Sequence, residues 1–206
     1  MDSGKHQATL RTERLLLLPL SDEHLEHEVA LDADPDVMRH LTTAPRDRAE
    51  VEQLHRHRLD LARQAPGFGL WAGFTAGDFV GWWILEPPNR ADQGPVRGQA
   101  ELGYRLLPRH WRRGLGSEGA RELLRHGFDD LCLTRIFAET MAVNTPSRAT
   151  MASIGMTFVR GFHLPWDHPL PGAQHGEVEY AITREQWGRA APRATTPPGD
   201  PCDPPP

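Results

Sequence analysis

The stretch from Glu101 to Gly127, ELGYRLLPRHWRRGLGSEGARELLRHG, constrains the fold more than any other part of the chain, because its apolar period changes part-way along. Leu102, Tyr104 and Leu106 alternate with Glu101, Gly103 and Arg105, the pattern of a half-buried strand. Pro108 ends that ladder, since it has no N–H to donate. From Leu115 onward, Leu115, Ala120, Leu123, Leu124 and Phe128 fall near one helical face. Between strand and helix lies a basic turn, Trp111-Arg-Arg-Gly-Leu-Gly116. The first N–H groups of a helix have no internal partners, and the helix dipole adds positive charge there. Gly114 and Gly116 lack a Cβ, so an anion can approach the main chain closely. Arg109, Arg112 and Arg113 add charge in the planar form that suits phosphate oxygens. Two readings follow: a basic turn that caps an ordinary helix, or a phosphate cradle. The turn is not a Walker loop, which needs Gly-Lys-Ser/Thr, and it lacks the third glycine of a dinucleotide fingerprint.

The bulk properties narrow the partners. A chain of 206 residues suits one domain with a real core. A net charge of −5 argues against general affinity for nucleic acid, while the local cluster from Arg105 to Arg113 suits a small polyanion. No apolar run reaches the roughly 18 residues of a membrane span. A cytoplasmic protein without membrane association is therefore the expectation. Cys132, near a helix end, and Cys202, in a proline-rich tail, give no reason to expect a structural disulfide.

In chain order, residues 1–8 read as a loose N-terminus and Leu10 to Pro19 as one strand, with Leu15 to Leu18 buried on both faces. Ser21 starts a helix over about 22–31. Pro35 opens a short helix through Met38, and Arg46 to Ala65 forms a longer amphipathic one. Phe68 to Thr75 and Phe79 to Leu85 are strands joined by a hairpin turn at Ala76-Gly77-Asp78. Residues 86–98 read as a loop. Past the organising stretch come a strand over Arg135 to Met141, a helix over Pro146 to Ser153, and strands at Met156 to Phe162 and Glu177 to Thr183. Seven of the fifteen residues from Pro192 are proline, which reads as a disordered tail. The domain thus spans 9–189, with a Pro-rich tail over 190–206. Mixed strands and helices give an α/β architecture.

Trp111-Arg-Arg-Gly-Leu-Gly116 after a strand resembles the pyrophosphate loop of the GNAT N-acetyltransferases, with Trp111 standing where the family often has Gln or Arg. Asn144-Thr-Pro-Ser147, running to Ile154-Gly-Met156, resembles a second segment of the ribosomal-protein (Rim-type) branch, and Leu10 to Leu20 resembles its first strand. The likeness covers residues 8–188. It implies an α/β GNAT fold: a twisted mixed sheet of roughly six to seven strands, helices on both faces, and a V-shaped splay between strands four and five, here Glu101–Leu107 and Arg135–Met141.

The resemblance also implies the chemistry. Acetyl-CoA is the co-substrate, no metal is needed, and the acceptor is a primary amine, either a protein N-terminus or a small molecule. Implied cofactor contacts are Leu106, Leu107, Arg109, Trp111, Arg112, Arg113, Gly114, Leu115, Gly116, Ser117, Asn144 and Ser147, with a bulge near Leu106 freeing an amide. Acetyl transfer needs a base, because an alkyl ammonium has a pKa of about 10.4. Glu101 is the candidate, since a carboxylate desolvated beside the wedge would be raised into a useful range; otherwise it is a strand glutamate facing water or paired with Arg105. Ser147 is the candidate proton donor, because the position seven residues after Asn144, where many relatives carry a tyrosine acid, is Met151 here. Asn144 and Ser147 have capping as their alternative role. Trp71, Trp82 and Glu86 are candidates for the acceptor side, with Trp71 and Trp82 otherwise core. Asp78, Asp92, Asp167 and Glu177 could add negative charge there, which would suit a cationic acceptor. The competing function is a non-catalytic acyl-CoA-binding domain that keeps only the phosphate loop. The residues leave the oligomeric state open; the branch often forms homodimers.

Overall fold

The computed structural model describes residues 7–95, 97–165 and 168–190. The strands are β1 (Leu10–Arg11), β2 (Leu16–Pro19), β3 (Gly69–Thr75), β4 (Asp78–Glu86), β5 (Gln99–Leu106), β6 (Arg135–Met141), β7 (Thr157–Phe162) and β8 (Glu177–Thr183). The helices are α1 (Leu25–Asp32), α2 (Pro35–Met38), α3 (Arg48–Gln64), α4 (Leu115–Arg125), α5 (Thr145–Ser153) and α6 (Arg184–Ala190). The strands form one mixed sheet in the order β1-β2-β3-β4-β5-β6-β8-β7.

Among the described residues the sheet therefore has eight strands rather than six or seven. The expected single first strand is broken into β1 and β2, which pair antiparallel. The break has a tertiary cause: Thr12 Oγ1 accepts from the Leu15 amide at 2.9 Å, and Glu118 of α4 accepts from the Arg14 amide at 2.9 Å. Nor is the Leu15–Leu18 run buried on both faces, since Leu15 and Leu17 are buried while Leu16 and Leu18 are only half-buried. Residues 7 and 8, grouped by sequence with a loose N-terminus, are tied to β3: Gln7 Nε2 donates to Leu70 O at 3.0 Å, and Trp71 Nε1 donates to Ala8 O at 2.8 Å. Cys132 is disulfide-bonded, against the expectation. Cys202, Asp167 and the proline-rich segment lie outside the described residues.

Helices cover both faces of the sheet. Leu31 of α1, Val37 of α2 and Leu59 of α3 pack with Leu70, Ala72 and Trp82 on one face. Leu115, Leu123 and Leu124 of α4, Met151 of α5 and Trp187 of α6 pack with Trp71, Trp83 and Leu102 on the other. Side-chain caps fix where α2 and α3 begin. Asp34 caps α2 through the Asp36 and Val37 amides, and Asp47 with Glu50 forms a capping box for α3. At the β3–β4 turn Ala76 and Gly77 both have positive φ, as a two-residue hairpin turn requires.

One feature of the sheet positions the candidate site. β5 and β6 run parallel but pair only through Gln99–Glu101 with Arg135–Phe137. Beyond Glu101 the two strands diverge, although β5 continues to Leu106 beside β4 and β6 continues to Met141 beside β8. This is the expected V-shaped splay, and Glu101 stands at its apex.

Candidate active site

The splay leaves backbone groups open. Leu107 N–H donates to Val80 O at 2.9 Å. Alternate residues of an antiparallel strand turn their polar groups to opposite sides, so Tyr104 and Leu106 turn theirs toward the diverged β6. Leu106 O accepts from Trp111 Nε1 at 2.6 Å. The β4–β5 register runs unbroken from Glu101 to Leu106, so the expected bulge is absent from that ladder. Divergence of β6, rather than a bulge, is what frees the amide of Leu106, while the amide of Leu107 is already occupied.

The basic turn follows directly. Gly114 occupies the N-cap of α4 at φ 78° and has no side chain to close the cap. Among the first amides of α4, that of Glu118 returns to Gly114 O at 3.0 Å. Those of Leu115, Gly116 and Ser117 head the helix with no acceptor in the preceding turn, as the first N–H groups of any helix do. Arg112 is held at φ 57°, a left-handed conformation uncommon for a residue with a side chain. A Cβ added at Gly116 would meet nothing closer than Tyr104 Cε2 at 3.6 Å, so packing within the protein does not require glycine there. Close approach of a ligand to the backbone would. Gly119 differs: a Cβ there would lie 2.4 Å from Trp83 Cε2, so it is glycine that lets α4 sit on the sheet. Arg112 and Arg113 are exposed, whereas Arg109 Nη2 donates to Phe79 O at 3.2 Å. His110, which borders the turn, is buried, with Nδ1 3.3 Å from Arg113 Nη1. Burial, and then Arg109 and Arg113, lower its pKa.

On the far side of the splay, Asn144 caps α5. Its Oδ1 accepts from the Ser147 amide at 3.3 Å and its Nδ2 donates to Thr140 Oγ1 at 3.0 Å, so both ends of the amide are engaged. The Ser147 side chain is half-buried. Beside Ser147 and Thr150 stands the Tyr104 hydroxyl, buried and without a completed hydrogen bond, with its pKa raised by burial. Met151 is buried core.

The opposite face of the splay is acidic. Glu101 pairs with Glu86 across β4–β5. Glu101 Oε2 accepts from Gln93 Nε2 at 2.8 Å, and the same amide nitrogen lies 3.4 Å from Glu139 Oε2. Burial first, then Glu139 and Glu86, push Glu101 up to about 7, while Gln93 and Arg90 pull the other way. Glu86 is also raised, mainly by burial. Glu101 is thus neither water-facing nor paired with Arg105, whose guanidinium is bonded to Asp32 Oδ1 at 2.8 Å and stacked over Trp82 at 4.7 Å. Burial lowers Arg105 to about 10.

Trp82 shares this face, between Arg105 and Arg58, and its Nε1 is buried without a partner. Trp71 does not. It is fully buried in the core on the α4 face, edge-on to His126 at 5.5 Å, and so cannot line the acceptor side with Glu101. Gln93 escaped the sequence reading altogether. It sits in a loop, and only the fold brings that loop over β5 and β6. The short 3-10 turn Ala91–Gln93 holds it there, with its Oε1 accepting from the Asn89 and Arg90 amides at 2.9 and 3.1 Å.

The splayed pair β5–β6 thus stands next to a helix start that has no side-chain cap. Residues 14–157 match the acetyltransferase (GNAT) domain model. The chain is a GNAT acetyltransferase. The FsC-acetyl coenzyme A-N(2)-transacetylase of Aspergillus fumigatus is 44% identical over 188 residues, covering 90% of this chain and 80% of that protein. Among solved structures, RimL, the ribosomal L7/L12 α-N-protein acetyltransferase in complex with coenzyme A, superimposes with a TM-score of 0.71 at 16% identity, covering 85% of this chain and 98% of that one. RimJ of Mycobacterium smegmatis in complex with CoA-disulfide gives 0.70 at 19% identity, with 87% of each chain covered. At those identities the Rim proteins share the fold. This GNAT protein is therefore an N-acetyltransferase that uses acetyl-CoA as co-substrate. Among its described residues, no helix is long and apolar enough to cross a membrane.

Proposed function

We propose that this acetyltransferase moves the acetyl group of acetyl-CoA directly to a primary amine in a ternary complex, with the N(2) nitrogen of an FsC-type small molecule as the amine. The observation that carries the mechanism is Glu101, half-buried at the apex of the splay, with its carboxyl pushed up to about 7, chiefly by desolvation. The acceptor rests on the Aspergillus relative, whose printed name gives that nitrogen. A protein N-terminus, the other acceptor expected from sequence, draws support only from structures that share the fold.

In this reading the pyrophosphate lies on the amides of Leu115, Gly116 and Ser117, with Arg112 and Arg113 beside it. The pantetheine runs along the open edge of β5, where the Leu106 amide offers a donor. The acceptor enters from the face that carries Glu101, Glu86 and Trp82. Glu101 as carboxylate takes one proton from the ammonium, and the freed nitrogen attacks the thioester carbon. An N–C bond forms and the C–S bond breaks; the acylated nitrogen then gives up its second proton, which neutralises the departing thiolate to the thiol, while the thiolate leaves toward the Ser147 and Tyr104 hydroxyls on the other face. Glu101 returns its proton to water after the product departs. A thiol pKa near 8.5 makes protonation of the leaving group helpful rather than obligatory, so Met151 in place of an acid does not preclude turnover.

The test is a panel of acceptors with acetyl-CoA: FsC, simple alkyl amines, and peptides with free N-termini, followed by thiol release and mass spectrometry of the product. FsC acetylated at N(2), with the highest kcat/KM of the panel, supports the reading. Preference for the peptides, or thiol release no faster than in buffer, overturns it.

A further inference from the structure

Glu101 is one member of a row of carboxylates that crosses four strands. Glu86 faces it on β4. Glu139 lies two residues beyond Phe137, its partner on β6, and Glu177 of β8 faces Met141. Side chains alternate along strands, so Glu101, Glu139 and Glu177 point to one face, the acceptor face. Gln93 Nε2 links the first two, at 2.8 and 3.4 Å. Glu139 in turn raises the pKa of Glu177, behind the larger effect of burial.

The row is short of positive charge. Arg90 Nη2 holds Glu139 Oε2 at 2.7 Å, but Arg90 is shared with Asp92. Glu139 Oε1 lies 3.9 Å from Arg160 Nη2, and Arg160 is bonded more closely to Glu179 and Asp92. Glu177 is only 6% exposed, and its Oε1 has no hydrogen-bond partner among the described residues. A buried carboxylate oxygen left without a donor is costly, and buried charges are as a rule paired. The oxygens are also spread along the sheet: among the described residues no cluster of three or more acidic, His or Cys side chains could hold a metal ion. A row of separated acids suits an organic molecule with separated cations.

We infer that Glu177, with Glu139, is a subsite for a second cationic group of the acceptor, so that the favoured acceptor carries at least one ammonium besides the amine that is acetylated. This rests on the reading above that the reacting amine sits at Glu101. It goes further in naming a polycationic acceptor and the residue that selects it.

Spermidine and butylamine serve as the polycation and monocation probes, with the full chain and its Glu177→Gln variant. The expected result is that the kcat/KM ratio of spermidine over butylamine falls about tenfold or more in the variant, the factor for one lost charge-assisted contact. The Glu177→Asp variant, which keeps the charge, should retain much of the preference. Calorimetric titration of spermidine gives a readout independent of turnover: wild type binds, and Glu177→Gln weakens binding by a similar factor. An unchanged ratio, or equal spermidine binding by wild type and Glu177→Gln, or no binding by either, overturns the subsite. Spermidine binding that depends on Glu177, with no acetylation of any amine, leaves the subsite standing and removes the acetyl-transfer reading instead.

Discussion

Replacing Glu101 with Gln separates a catalytic from a structural role, because the two roles predict opposite changes in rate and stability. The substitution keeps shape and leaves an oxygen to accept from Gln93 Nε2, now 2.8 Å from Glu101 Oε2. As a base, Glu101 with a pKa of about 7 is near half-ionised at neutral pH. The wild-type rate should therefore fall about tenfold per pH unit below about 7 and level off above it, and Glu101→Gln should cost roughly 10²–10⁴-fold in kcat and abolish that limb. Stability should move the other way. The folded pKa is raised above the ordinary value of 4.5, so the fold holds a proton that the unfolded chain has lost between those two pH values. The resulting penalty is absent below about 4.5, grows as pH rises toward 7, and is complete above it; at about 1.4 kcal/mol per pH unit it reaches at most roughly 3 kcal/mol. Glu101→Gln should thus raise the Tm at pH 8 and leave it nearly unchanged at pH 4. The assays are stopped-flow or coupled thiol release across pH, and calorimetric melting at the two pH values. A variant that keeps the wild-type rate and its acid limb refutes the base assignment. One that loses activity because its Tm drops at pH 8 shows Glu101 to be structural.

Three further outcomes follow from the same geometry. Gly116→Val should leave the melting temperature of the free protein within a few degrees, since the nearest atom to a new Cβ is 3.6 Å away, yet remove most of the stabilisation by acetyl-CoA seen in thermal shift. Gly119→Ala should destabilise by about 1–3 kcal/mol in urea unfolding, because its Cβ would stand 2.4 Å from the buried Trp83 ring. Gln93→Ala should shift the acid limb of the rate profile upward, because Gln93 is the hydrogen-bond donor that holds the Glu101 pKa down.

Much of this fold is visible in the order of residues, and the exceptions have physical causes. The change from alternation to helical period across Leu106 to Leu115 locates the end of β5, the basic turn and the start of α4 to within a residue or two, because burial on one side imposes each period locally; the expected end near Leu131 is not that of α4, which gives way at His126 to a π-helical turn through Asp130. The β3–β4 turn is equally local, set by Ala76 and Gly77. By contrast, the split between β1 and β2 depends on Glu118, about a hundred residues away, reaching the Arg14 amide. The two tryptophans Trp71 and Trp82 look alike in sequence, yet the register that pairs Trp71 with Trp83 and Ala72 with Trp82 sends them to opposite faces. Within the site, the glycines and arginines of the turn carry their own signal. The raised Glu101 does not, because its environment is assembled from Gln93, Glu86 and Glu139 on three separate elements. Asn144 shows the reverse limit: a motif residue whose amide serves, in the free protein, as a helix cap.

The most direct measurement of the central claim is a crystal structure of this chain with coenzyme A. The account predicts the pyrophosphate on the amides of Leu115, Gly116 and Ser117, the pantetheine along the open edge of β5 beyond Glu101, and the thiol at the apex of the splay between Glu101 and Ser147. A pyrophosphate bound elsewhere, or a thiol on the far side of α4 from Glu101, would contradict it.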